Sequence, residues 1–133
     1  KIHSLKLETI PTGYLLLDGG TTSSVQAMSQ TLPLPVEKFD IIGAHALAGQ
    51  YLGMKMIYLD TGSGSINTVS EELILYIYNL IEIPLIIGGG INKPNVIEKI
   101  VNAGAGYIVI GTAIENSHTK NNLRELNQVI HGK

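Results

Sequence analysis

Residues 84–91 read Pro84-Leu85-Ile86-Ile87-Gly88-Gly89-Gly90-Ile91, a short apolar run that ends in three consecutive glycines. Three other segments share this form, because each is a continuous apolar run that ends at aspartate or glycine; they span residues 13–18, 55–60 and 107–111. Continuous apolar runs, unlike alternating ones, are typical of strands that are buried on both faces of a parallel sheet. The four segments therefore predict four parallel strands.

Helical patterns lie between and after these strands. We predict helices over residues 36–51, 71–81, 94–103 and 121–130. Ser70 is a candidate N-cap, because Glu71 and Glu72 follow it in the first turn, where carboxylates suit the helix dipole. Asn92 is the corresponding candidate before Pro94, a residue that is favoured in a first turn. Alternating strands and helices in this order predict a parallel sheet with right-handed crossovers.

The length of the chain limits how much of a larger fold it can form. A complete TIM (β/α)8 barrel takes about 250 residues, and the chain has 133. We therefore predict a single α/β domain over residues 1–133 that forms about four βα units, which is half a barrel. A small open four-stranded α/β sheet is the alternative.

Composition excludes several classes of function. Hydrophobic residues make up 44% and charged residues 15%, and the net charge is −2 with no basic block, so no nucleic acid is expected as a partner. There are no cysteines, which fits a cytoplasmic protein. The most apolar stretch, residues 73–87, is too short to cross a bilayer, which needs about 20 residues. Any membrane contact is therefore expected to be peripheral.

All four predicted strands end in glycine or in an acidic residue, and parallel α/β folds place their sites at these ends. Glycines let main-chain N–H groups approach an anion, and the helix that follows adds the positive end of its dipole. Gly89 and Gly90 end one strand, and Gly111 and Thr112 end the next. Together they predict a phosphate site, although for one loop alone a tight turn explains the glycines equally well.

The segment from Tyr58 to Gly64 is the second candidate site. Alternation along the strand puts Tyr58 and Asp60 on one face and Leu59 on the other. Asp60 is placed to act as a general base or to orient a hydroxyl group. Capping of the following turn by its own side chain is an equally weighted alternative. Further donors follow from Gly62, Ser63 and Gly64.

The predicted helix over residues 71–81 is apolar nearly all the way round. An outer helix of a barrel needs only one apolar stripe. The excess predicts a second buried face, which indicates a homo-oligomer formed through this helix, with a lipid-like ligand as the alternative.

Five motifs together resemble the geranylgeranylglyceryl phosphate synthase family, and they extend from about residue 8 onward. They are Pro11-Thr12-Gly13-Tyr14-Leu15-Leu16, Ala46-Leu47-Ala48-Gly49-Gln50-Tyr51-Leu52-Gly53, Tyr58-Leu59-Asp60-Thr61-Gly62-Ser63-Gly64, Pro84-Leu85-Ile86-Ile87-Gly88-Gly89-Gly90-Ile91 and Val109-Ile110-Gly111-Thr112-Ala113-Ile114-Glu115. Their order corresponds to strands five to eight of that family's (β/α)8 barrel. The resemblance thus implies the C-terminal half of such a barrel.

The resemblance implies a prenyltransferase of ether-lipid biosynthesis. It would transfer a polyprenyl group from its diphosphate to the 3-hydroxyl of sn-glycerol 1-phosphate, with Asp60 as the carboxylate beside that hydroxyl. The implied glycerol phosphate site comprises Tyr58, Leu59, Asp60, Thr61, Gly62, Ser63, Gly64, Gly89, Gly90, Gly111 and Thr112. The reaction also needs Mg²⁺ on the diphosphate. Its ligands come from the family's first strands, so none is expected in this chain.

Three functional hypotheses follow. The first is a prenyltransferase of this family, for which the chain alone is incomplete. The second is another phosphate-binding barrel enzyme, acting on a sugar or indole phosphate. The third is a non-catalytic half-barrel that self-associates, because four strands leave two sheet edges open.

Overall fold

The computed structural model describes residues 1–111. In chain order the elements are β1 (Thr12–Leu16), α1 (Ser24–Ser29), α2 (Phe39–Tyr51), β2 (Met56–Asp60), α3 (Glu71–Leu80), β3 (Leu85–Gly88), α4 (Pro94–Asn102) and β4 (Tyr107–Val109). The four predicted strands and the first three predicted helices are confirmed. The helix predicted over residues 121–130 lies outside the described residues.

The four strands form one parallel sheet in the order β1-β2-β3-β4. Their carboxyl ends are level, because Asp60 pairs in register with Leu16 on one side and with Gly88 on the other. Gly88 in turn pairs with Val109. Loops that follow these strands therefore emerge side by side at one edge of the sheet.

The hydrophobic core lies between one sheet face and helices α2, α3 and α4. Ile57 and Leu59 of β2 are fully buried, and so are Ile42 of α2 and Ile77 of α3. Burial of each such side chain contributes about 1.5–3 kcal/mol. Alternation turns the intervening residues, Tyr58 among them, toward the opposite face.

That opposite face departs from the sequence prediction of strands buried on both sides. Tyr14 of β1 is 40% exposed, and Tyr107 and Val109 of β4 are 55% and 46% exposed. In the described part of the chain, the helices cover only one face of the sheet. The apolar runs therefore correctly predicted strands, but they overstated the burial of the two outer ones.

The helices differ from the prediction in their boundaries, in one cap and in one additional helix. Helix α2 begins at Phe39, three residues after the predicted start at residue 36. Helix α4 has Lys93 at its N-cap without a side-chain hydrogen bond, so the prediction of Asn92 was wrong. Helix α1 was not predicted; the Ser23 side chain caps it by accepting from the Gln26 amide at 3.1 Å.

Candidate functional site

The loops after β2, β3 and β4 enclose a pocket of about 350 Å³ at the carboxyl edge of the sheet. Seven predicted site residues line it: Tyr58, Asp60, Ser63, Gly64, Gly89, Gly90 and Gly111. The sequence reasoning missed Ser65, Ile91, Asn92 and Val109, which also line it. Pockets of this size hold small-molecule ligands.

Three predicted site residues lie beside the pocket without lining it. The Leu59 side chain is fully buried in the core on the helix side of the sheet. Thr61 is 1% exposed, and the Gly62 amide is used by Asp60 in the turn. Thr112 lies outside the described residues.

The glycine turn after β3 exposes its main-chain amides. Gly89 and Gly90 have φ angles of 88° and 66°, the left-handed region that glycine adopts without strain. Within the described residues, neither of their N–H groups donates a hydrogen bond. Unpaired amides at adjacent positions, just before helix α4, form a concavity suited to an anion.

Close packing explains why the turn needs glycine. A Cβ atom added at Gly89 would lie 2.8 Å from the Gly62 nitrogen, and one at Gly90 would lie 2.8 Å from the Asn67 carbonyl oxygen. The loops after β2 and β3 therefore touch backbone to backbone. By contrast, a Cβ at Gly111 would lie within 4 Å of none of the other described residues.

Asp60 is the carboxylate of the pocket and is only 8% exposed. Its Oδ1 atom accepts a hydrogen bond from the Gly62 amide at 2.9 Å. Its Oδ2 atom accepts one from the Tyr14 hydroxyl at 2.5 Å. The two predictions for Asp60, a cap of the turn and a carboxylate of the site, are therefore compatible, because its side chain caps the turn and also borders the pocket.

Two tyrosines pack beside this carboxylate. The rings of Tyr14 and Tyr58 meet edge to face, with centroids 5.2 Å apart and planes at 90°. Burial and the Asp60 charge raise the pKa of Tyr58 to about 12. Burial, and then the hydrogen bond to Asp60, raises the pKa of Tyr14 well above its usual value. Both hydroxyl groups therefore keep their protons at neutral pH.

The loops after β1 and β2 are also joined. The Ser65 hydroxyl lies 3.0 Å from the Gly19 carbonyl oxygen and 2.5 Å from that of Asn67. Asp18, at the end of the first strand, accepts from the Gly20 amide at 2.9 Å and so shapes its own turn. These contacts hold the loops around the pocket.

The histidine, aspartate and glutamate side chains of residues 1–111 form no group of three that could hold a metal ion. None of the helices in this part of the chain is long and apolar enough to cross a bilayer.

The fold and site define an α/β protein whose parallel strands present a glycine-lined pocket at their carboxyl ends. The PcrB family model matches residues 1–130. The chain belongs to the PcrB family.

Named relatives agree with the resemblance seen in the sequence. The chain is 46% identical over 120 residues to the geranylgeranylglyceryl phosphate synthase of Zunongwangia profunda, covering 90% of this chain and 51% of that protein. It is 41% identical over 117 residues to the Pyrococcus furiosus protein of the same name, covering 88% of this chain and 46% of that protein. The chain spans about half the length of the curated relatives it matches.

A solved structure gives the same result. The (S)-3-O-geranylgeranylglyceryl phosphate synthase of Thermoplasma acidophilum, in complex with its substrate sn-glycerol-1-phosphate, superposes with a TM-score of 0.91 at 32% identity. The match covers 99% of this chain and 53% of that one. The resemblance drawn from the motifs is thereby confirmed.

Proposed function

We propose that the chain supplies the glycerol phosphate-binding part of a prenyltransferase that forms an ether between a polyprenyl group and sn-glycerol 1-phosphate. One observation carries the proposal: the Gly89 and Gly90 amides, which donate no hydrogen bond within residues 1–111, share a pocket with the carboxylate of Asp60. The amides can donate hydrogen bonds to a phosphate, and the carboxylate can accept one from a hydroxyl group. The named relatives support the same reaction.

In this proposal the phosphate binds the main chain of Gly89, Gly90 and Gly111. The role of Thr112 rests on the family resemblance alone. With the phosphate fixed, the 3-hydroxyl points at Asp60. As its oxygen attacks the first carbon of the prenyl chain, the carbon–oxygen bond to diphosphate breaks, and the hydroxyl proton passes to Asp60. Positioning of the weak alcohol nucleophile supplies much of the rate.

The diphosphate leaving group is proposed to need Mg²⁺, since its developing charge must be neutralised. Residues 1–111 contain no group of three histidine, aspartate or glutamate side chains that could hold this ion.

We further propose that β1 to β4 are the equivalents of strands five to eight of a (β/α)8 barrel. The sequential strand order and the helices on a single face support this, because doubly wound sheets carry helices on both faces. Self-association is proposed through α3, where Leu75 and Tyr78 are 50% and 54% exposed.

The proposed function is tested by calorimetric titration of the chain with three ligands. They are sn-glycerol 1-phosphate, its enantiomer sn-glycerol 3-phosphate, and ribulose 5-phosphate. We expect sn-glycerol 1-phosphate to bind about tenfold more tightly than the other two, a difference of about 1.4 kcal/mol. Preference for ribulose 5-phosphate would favour a different phosphate-binding enzyme. Binding of none of them would favour the non-catalytic, self-associating half-barrel.

A further inference from the structure

Tyr14 reaches the candidate carboxylate from the neighbouring strand. Parallel pairing of β1 with β2 sets Tyr14 level with Tyr58, and Leu16 level with Asp60. The Tyr14 side chain therefore extends diagonally along the open face of the sheet. Its hydroxyl donates to Oδ2 of Asp60 at 2.5 Å, a length typical of a strong, charge-assisted hydrogen bond.

We propose that Tyr14 is a positioning residue that fixes the orientation of the Asp60 carboxylate toward the acceptor hydroxyl of the substrate. This inference rests on the proposed function, because it assumes that Asp60 meets that hydroxyl.

The hydrogen bonds of Asp60 support this role. An ionised carboxylate can accept about four hydrogen bonds, two at each oxygen. The Gly62 amide uses one position on Oδ1, and the Tyr14 hydroxyl uses one on Oδ2. Two anchors on opposite oxygens stop rotation of the carboxylate plane and leave a lone pair on each oxygen for a ligand. Without Tyr14, Gly62 is the single anchor, and the plane can turn.

Tyr14 is itself held in place. Its ring meets that of Tyr58 edge to face, at a centroid distance of 5.2 Å. Tyr58 in turn lies directly over Gly88, where an added Cβ atom would lie 2.8 Å from the Tyr58 Cε2 atom. The raised pKa of Tyr14 means that its hydroxyl remains a donor. A rigid donor on a strand suits a positioning role better than one on a loop.

The test compares two ligands that differ by one hydroxyl group. They are sn-glycerol 1-phosphate and 1,2-propanediol 1-phosphate of matching configuration, which lacks the 3-hydroxyl. In the wild-type chain we expect the first to bind about tenfold more tightly, as for a hydrogen bond to a charged group. In Tyr14→Phe we expect this ratio to fall below about threefold, because one of the two anchors is lost. Affinity for the propanediol phosphate should be unchanged.

Three further variants sharpen the test. Tyr51→Phe, the same change at a tyrosine that is 80% exposed, should keep the wild-type ratio. In Asp60→Asn, the ratio of the two affinities should fall to about one. Adding Tyr14→Phe to Asp60→Asn should not change this ratio further, as expected for residues that act together.

The outcomes separate this inference from the proposed function. A wild-type ratio that survives in Tyr14→Phe would overturn the positioning role. An equal loss of affinity for both ligands would also overturn it, because it would indicate a structural effect. A ratio near one in the wild-type chain would instead overturn the role proposed for Asp60, and the inference with it.

Discussion

At the level of single residues, Asp60 illustrates why two competing interpretations of a motif can both hold. Its position at a strand end predicted either a turn cap or a site carboxylate. The Gly62 amide occupies one of its oxygens, and the residue still lines the pocket. A local pattern indicates contacts within two or three residues, so the sequence could not reveal that Tyr14, far away in the chain, occupies the other oxygen.

Asp60→Asn tests the role of the carboxylate in turnover. We expect the turnover rate to fall about a hundredfold or more, because an amide cannot take the hydroxyl proton. Affinity for glycerol phosphate should fall only about tenfold, through loss of the contact with the 3-hydroxyl, since the phosphate contacts remain. The measurement is a prenyl transfer assay in a chimera that joins this chain to the part of the Zunongwangia profunda relative that the match leaves uncovered.

The matched control for this prediction is Asp18→Asn, the same chemical change at the end of the neighbouring strand. The new amide oxygen can still accept from Gly20, so activity should be kept. Unchanged turnover in Asp60→Asn would remove Asp60 from the mechanism.

Gly90→Ala tests the amide concavity. The added Cβ would lie 2.8 Å from the Asn67 oxygen, at a φ angle of 66°. Backbone strain and overpacking should cost about 1–3 kcal/mol of unfolding free energy. The turn should also shift, and affinity for glycerol phosphate should fall about tenfold, as expected when about one hydrogen bond to a charged group is lost. Urea unfolding and calorimetry measure the two effects.

Gly53→Ala separates strain from binding. Gly53 has a φ angle of 89° but open space where a Cβ would lie, at the end of α2. The Gly53→Ala variant should be less stable than the wild-type chain but should bind glycerol phosphate with wild-type affinity. Equal affinity losses in the two variants would contradict the assignment of Gly90 to the anion site.

The raised pKa of Tyr58 predicts that the free energy of unfolding depends on pH. Its pKa is about 12 in the folded chain, against 10.0 for an unperturbed tyrosine. Between these values the folded chain holds a proton that the unfolded chain has lost, so stability falls as pH rises from 10 to 12. Tyr58→Phe should show a shallower fall. Urea midpoints measured between pH 9 and 12 test this, and identical slopes in both proteins would contradict it.

At the level of elements, sequence signals worked where a helix had a buried apolar stripe, as α2, α3 and α4 do. Helix α3 has Ser70, whose side chain accepts from the Leu73 amide, and three buried residues. Helix α1 has no buried residue and only six residues in all, so it left no apolar period to detect. Pro94 was correctly predicted to lie in the first turn of α4. The prediction of Asn92 as the N-cap failed because the N-cap is Lys93, which makes no side-chain hydrogen bond to the helix.

Ser70→Ala tests the capping of α3. Loss of the hydrogen bond to the Leu73 amide should lower the free energy of unfolding by about 1 kcal/mol. Lys99→Ala is the comparison, because its ion pair with Glu71 joins side chains that are 59% and 49% exposed. It should cost less than Ser70→Ala, because ion pairs between exposed side chains contribute little to stability. Urea unfolding measures both, and a larger effect of Lys99→Ala would contradict this ranking.

At the level of the whole molecule, the strand order and the parallel sheet could be predicted because alternation of strands and helices leaves few topologies. Which face of the sheet remains open could not be predicted, because an apolar run does not show what covers each face of a strand. The described residues leave Tyr107 and Val109 exposed on the sheet and Leu75 exposed on α3. These surfaces bear on self-association.

Leu75→Glu tests self-association through α3. Light scattering of the wild-type chain should give a mass above that of the 14.3 kDa monomer. A charge at the centre of an apolar interface should shift the equilibrium toward the monomer. Met28→Glu, at a residue of α1 that is 87% exposed, is the control and should leave the mass unchanged. Equal masses in both variants would contradict an interface at α3.

The location of the bound anion is the claim on which the proposed function depends. It is tested most directly by following the main-chain amide resonances of the ¹⁵N-labelled chain during titration with sn-glycerol 1-phosphate. The Gly89 and Gly90 resonances should shift with one common dissociation constant, and that of Gly53 should not move. If sn-glycerol 1-phosphate binds while the Gly89 and Gly90 resonances stay in place, the anion lies elsewhere and the account is contradicted.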